Sequence, residues 1–65
     1  MEAKEKIINT LKDLGQLSTS RIAGSIGIDY NYATQLLNEL LSENLVEKIE
    51  TPNSKYWKLI GEQNA

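Results

Sequence analysis

The residues Gly27-Ile28-Asp29 constrain this chain more than any others. Apolar residues recur at helical spacing on both sides of them. Ile22, Ala23 and Ile26 come before, and Ala33, Leu36, Leu37, Leu40 and Leu41 come after. Only three residues link the two helices that these stripes predict, and one of them is glycine. Gly27 can end the first helix in a left-handed conformation, and the Asp29 carboxylate can accept an unpaired N–H at the start of the next. Two short helices must therefore meet at a tight turn, with Ile28 as an apolar plug in its middle. That is the spacing of a helix-turn-helix.

The rest of the chain builds around this pair. Ile7, Ile8, Leu11 and Leu14 predict a helix over residues 3–14, with Gly15 just past its end. Leu17 stands alone in the link that follows. Ser18 is placed to cap the second helix. Gly24 lies inside that helix, where it costs about 1 kcal/mol relative to Ala. Close approach of another helix explains it, and so does the tolerance of a short helix. In the third helix Asn31, Gln35, Asn38 and Ser42 fall opposite the apolar stripe, and Asn44 can take the left-handed exit. Leu36 and Leu41 are possible dimer contacts at the margins of that stripe. After Asn44 the period changes. "LVEKIE" and "KYWKLI" are rich in β-branched and aromatic residues, and "TPNS" between them supplies turn chemistry. A hairpin follows, with Trp57 and Leu59 on one face and Tyr56 and Lys58 on the other. Residues 1–60 are expected to form one domain, and 61–65 a disordered C-terminal tail.

Composition excludes several classes. A chain of 65 residues holds one domain and supplies roughly 3–5 kcal/mol from its own core. It has no Cys and no His, so disulfides and Cys/His metal sites are ruled out. A second subunit is the remaining reinforcement, which predicts a homodimer. No three apolar residues stand in a row, so neither a transmembrane helix nor a signal-peptide core is expected. A cytoplasmic location follows. The net charge of −2 sits unevenly. Residues 18–44 carry Arg21 against Asp29, Glu39 and Glu43. Residues 45–60 carry Lys48, Lys55 and Lys58 against Glu47 and Glu50, and form the net-positive segment. No paired carboxylates, phosphate-binding glycine loop or nucleophile motif is present, so neither an enzyme nor a cofactor is expected.

The order helix, helix, turn, helix, hairpin is that of an α+β winged helix-turn-helix: three helices followed by a two-stranded β-hairpin wing. "IAGSIGID", "ATQLLNELLSENLVEKI" and "KYWKL" together resemble the core of small MarR-like, ArsR-like and Lrp-like transcription regulators over about residues 7–60. The resemblance implies sequence-specific binding of double-stranded DNA, with the third helix (29–43) in the major groove. It implies base-reading roles for Tyr30, Asn31, Thr34, Gln35 and Asn38. It implies phosphate contacts for Ser18, Ser20, Arg21, Lys48, Lys55 and Lys58. The third helix departs from the family in having no Arg or Lys, and the metal ligands of ArsR-like sensors are missing, so no metal is expected.

A groove-reading helix does not need a cation. Asn and Gln amides can pair with the N6 and N7 edge of adenine, while phosphate contacts from neighbouring elements fix register. "YNYATQLLN" has that chemistry. The same amides also suit any solvated helix face. Tyr30 lies at the edge of the apolar stripe, where packing and base contact are both open to it. Tyr32 lies on the other flank, open to solvent, DNA or a partner. A winged-helix adaptor that binds protein is the alternative, motivated by the sequence pI of about 4.9. An adaptor calls for an exposed apolar patch on the third helix, built on Tyr30 and Tyr32. A DNA binder calls for a positive rim of Arg21, Lys48, Lys55 and Lys58.

Overall fold

Helix α1 (Ala3–Leu14) forms where Ile7 and Leu11 share a stripe, and both are buried. Its last turn closes with the Gly15 N–H donating to the Leu11 carbonyl at 2.8 Å. Ser18 then caps α2 (Thr19–Ile26), its Oγ accepting from the Arg21 N–H at 3.2 Å. Gly27 ends α2 at φ 74°, in the left-handed region that a Cβ disfavours. Asp29 caps α3 (Tyr30–Ser42) by accepting from the Asn31 N–H at 2.9 Å. Asn44 takes the left-handed exit at φ 63°. The computed structural model describes residues 3–60, so the tail expected at 61–65 lies outside the described residues.

The hairpin is β2 (Val46–Glu50) and β3 (Lys55–Leu59), antiparallel, with Val46 opposite Leu59 and Glu50 opposite Lys55. Thr51 and Ser54 lock the turn between them. The Thr51 N–H donates to the Ser54 carbonyl at 2.8 Å, and the Ser54 N–H to the Thr51 hydroxyl at 2.9 Å. A third strand, β1 (Leu17–Ser18), pairs with the other edge of β3, giving the order β1-β3-β2. Leu17, isolated in the sequence, is thus a strand residue opposite Trp57. Two residues are too few to show a period, which is why the strand escapes a sequence reading.

The core gathers Ile7, Leu11, Leu17, Ile22, Leu36, Leu37, Leu40, Val46 and Trp57. Leu36 is buried within it and so is not free to serve as a dimer contact, whereas Leu41 is only partly buried against it. Gly24 is explained by the second of its two readings. A Cβ built there meets no atom within 4 Å among the described residues, so no helix approaches closely.

The indole N–H of Trp57 donates to the Thr19 hydroxyl at 2.8 Å, and both residues are buried. This bond ties the N-terminus of α2 to the middle of the sheet. Thr19→Val keeps the shape and removes the acceptor, leaving a buried donor without a partner. The expected cost is roughly 1–3 kcal/mol, read as a lower urea midpoint with an unchanged slope.

Candidate nucleic-acid interface

On α3 the burial pattern separates two faces. Ala33, Leu36, Leu37 and Leu40 are buried, whereas Asn31, Gln35, Asn38 and Ser42 are exposed on the opposite side. At about 100° per residue, Tyr30 and Thr34 flank that amide face on one side, and Tyr32 and Glu39 on the other. Tyr30 is exposed by 54% and Tyr32 by 45%, so neither is core. They sit on opposite flanks and do not join into one apolar patch. The Thr34 hydroxyl donates to the Tyr30 carbonyl at 3.0 Å, which commits its only proton within the helix.

Beside the Tyr30 flank lies an open groove of about 560 Å³. Its floor and walls come from three places: Ser18, Thr19 and Ser20 at the start of α2, Tyr30 at the start of α3, and Glu50 through Lys55 at the wing tip. The fold brings these together because β1 pairs with β3, which draws the start of α2 against the wing. Of the residues expected to contact DNA, the groove unites Ser18, Ser20, Tyr30 and Lys55. Asn31, Gln35 and Asn38 lie on the adjoining exposed face of α3. Arg21 is exposed in the first turn of α2, one residue beyond Ser20.

The cations divide by sheet face. Side chains alternate along a strand, so Lys48, Glu50, Lys55 and Trp57 share one face. Lys58 lies on the other, opposite Glu47. Lys48 is held on its own face: its ammonium is 3.8 Å from Glu50 and 5.7 Å from the centre of the Trp57 ring. Of the four cations expected in a positive rim, Arg21 and Lys55 thus carry no ion pair among the described residues, while Lys48 is engaged and Lys58 is turned away from the groove.

The acids of α3 are arranged with equal economy. Glu39 and Glu43 lie on the flank away from the groove, and Lys4 of α1 bridges both at 3.3 and 3.0 Å. The hydrogen bond to Glu43 is the main cause that raises the Lys4 pKa above the ordinary lysine value, so the clasp is charged through the neutral range. From neutral pH up to that ordinary value its contribution is complete, and it is lost as pH rises through the raised one. The amide face and the groove-side flank of α3 are thus free of acidic side chains apart from the Asp29 cap. Neither Lys4 nor Thr19 stands out in the sequence, since both partnerships span more than 35 residues.

No protein-family model matches the chain, and no curated protein matches it. Solved structures do. The Zα domain of PKZ from Carassius auratus, solved in complex with Z-DNA, shares 28% identity over 89% of this chain and 92% of that one, with a TM-score of 0.84. The homodimeric winged helix-turn-helix DNA-binding domain of Mb0332 from Mycobacterium bovis, a possible ArsR-family transcriptional regulator, shares 25% identity at a TM-score of 0.84. The match covers 91% of this chain and 54% of that one. Oxidised MarR from E. coli shares 21% identity at a TM-score of 0.81, over 88% of this chain and 42% of that one. The chain is a winged helix-turn-helix domain of α+β class. It resembles MarR- and ArsR-like DNA-binding domains, and spans about half the length or less of those two regulators.

Proposed function

We propose that this chain binds double-stranded DNA in a sequence-specific way and acts as a transcriptional regulator rather than an enzyme. The α3 helix enters the major groove, and the wing and the start of α2 rest on phosphates. One observation carries this reading: the exposed amide face of α3 adjoins a polar groove that ends at the wing cation Lys55. Asn31, Gln35 and Asn38 read base edges, with Tyr30 and Thr34 beside them, while Ser18, Ser20, Arg21 and Lys55 fix register. Lys48 joins them only when released from Glu50, and Lys58 serves only a strand that passes behind the sheet. The separation of Tyr30 from Tyr32 speaks against the protein-binding alternative, which needs them in one patch. Among the described residues no helix is long and apolar enough to cross a membrane, and no His, Cys, Asp or Glu cluster could hold a metal. The domain is taken as residues 1–60, working in the cytoplasm.

A homodimer is part of the reading. One module contacts few bases, and two would read half-sites about 34–36 Å apart. The ArsR-like relative in fold is homodimeric. In this chain Leu14, at the end of α1, and Ile60, near the C-terminus, are both exposed. Binding to random duplexes across a salt series tests the whole. Two free cations per chain predict a slope of log K against log salt of about −2 per chain and −4 for a pair. Sedimentation with and without DNA supplies the stoichiometry. An alternating CG duplex, followed by circular dichroism, shows whether right- or left-handed DNA is preferred. No salt-sensitive binding to any duplex near 50 mM salt would remove the DNA reading.

A further inference from the structure

We infer that Glu50 is an internal competitor of DNA phosphate: it occupies Lys48 in the free protein and holds down sequence-independent binding. The inference rests on the DNA-binding reading and concerns the same groove. Three charged side chains share one face of the wing: Glu50 and Lys55 line the groove, and Lys48 stands behind them beside Glu50. Glu50 is directly across the hairpin from Lys55 and two residues from Lys48 on its own strand. Its carboxylate reaches the Lys48 ammonium at 3.8 Å, and it lines the groove together with Lys55. The Lys48 ammonium is confined from a second side by the Trp57 ring at 5.7 Å. A phosphate entering the groove meets a net charge of +1 from these three groups instead of the +2 that the two lysines alone present. It gains Lys48 only by displacing a carboxylate already there.

Both side chains of the pair remain open to solvent, the Glu50 side chain by 60% and that of Lys48 by 33%. An ion pair so exposed contributes little to folding. Its consequence lies in what it denies to a ligand. Phosphate pairing is blind to sequence, whereas the amides of α3 are not. Withholding one cation per chain lowers affinity for every duplex equally and leaves base reading intact. The preference for the correct site then depends more on Gln35 and Asn38 than on charge.

Glu47 provides the control. It lies on the same strand, carries the same charge and faces the opposite side of the sheet, across from Lys58. Glu50→Gln and Glu47→Gln change the net charge of the chain identically, so only position distinguishes them. Binding to a random-sequence duplex is measured across a salt series for the parent, both single variants and the double variant Glu50→Gln/Lys48→Met.

Glu50→Gln is expected to steepen the slope of log K against log salt by about 0.9 per chain, one further neutralised phosphate. At 0.1 M salt this corresponds to roughly eightfold tighter binding. Glu47→Gln should leave the slope where the parent has it, and the double variant should return to the parent slope because the gain passes through Lys48. Melting curves should be alike for the parent and both single variants. A parent that binds with salt sensitivity, together with Glu50→Gln of the same slope, overturns the inference and leaves the DNA reading standing. Equal steepening in both single variants also overturns it, since net charge alone then suffices. If no variant binds any duplex, the DNA reading fails and this inference fails with it.

Discussion

Leu40→Ala is expected to leave the chain largely unfolded at room temperature. Leu40 is 1% exposed and belongs to the cluster that joins α1, α3 and the sheet. Removing a buried leucine side chain costs about 2–5 kcal/mol, part from lost transfer energy and part from the cavity. A domain of this size commands roughly 3–5 kcal/mol in total. The two ranges overlap, so a single truncation removes most of the stability. Leu41 is the internal comparison. It neighbours Leu40 in sequence but is turned about 100° away and is only partly buried. Leu41→Ala should therefore cost much less. Urea titration followed by circular dichroism measures both. Melting of Leu40→Ala at the parent midpoint would mean that the leucine stripe does not carry the core. Repeating the titration over a range of protein concentrations separates the fold from assembly, because a dimer's midpoint rises with concentration and a monomer's does not.

What the sequence makes legible is what repeats or punctuates locally. The apolar stripes of α1 and α3 have several members each, so their period is readable. Ser18, Asp29, Gly27 and Asn44 act within four residues of themselves, and each does in the structure what its side chain or backbone suits it for. The wing reads as a hairpin because β2 and β3 are five residues each and bracket a proline turn. Leu17 and Thr19 are different. Their roles come from Trp57, about 40 residues away, and a lone Leu or Thr carries no trace of a partner at that distance. Lys4 is hidden for the same reason, since its partners Glu39 and Glu43 lie on another helix. The wing lysines show a subtler gap. Composition counts Lys48, Lys55 and Lys58 as three equal charges. Strand alternation puts Lys58 on the face away from the other two, and the pairing of Glu50 with Lys48 leaves Lys55 as the groove's free wing cation. Charge position, not charge number, is what a sum over residues loses.

Mutations across the interface are expected to fall into two patterns, because counterion release ignores sequence and base-edge hydrogen bonds do not. Lys55→Ala removes a free cation from the groove. It should weaken every duplex alike and make the slope of log K against log salt shallower by about 1 per chain. Gln35→Ala or Asn38→Ala removes an exposed amide from the face of α3 opposite the core. Either should leave the slope nearly unchanged and cost about 1–3 kcal/mol on the preferred site alone. At about 1.4 kcal/mol for each factor of ten, that is a loss of roughly fivefold to 150-fold. Neither amide is part of the core, so melting curves should match the parent and the loss cannot be assigned to unfolding. The preferred site comes from selection on random duplexes, and both measurements are then made on it and on a scrambled control. Loss of equal size on both duplexes for Gln35→Ala would mean that α3 does not read bases. Parent binding that is insensitive to salt would mean that the wing and α2 do not hold phosphates. Failure on both counts hands the fold to the adaptor reading, with Tyr30, Tyr32 and Gln35 as the first positions to change against protein partners.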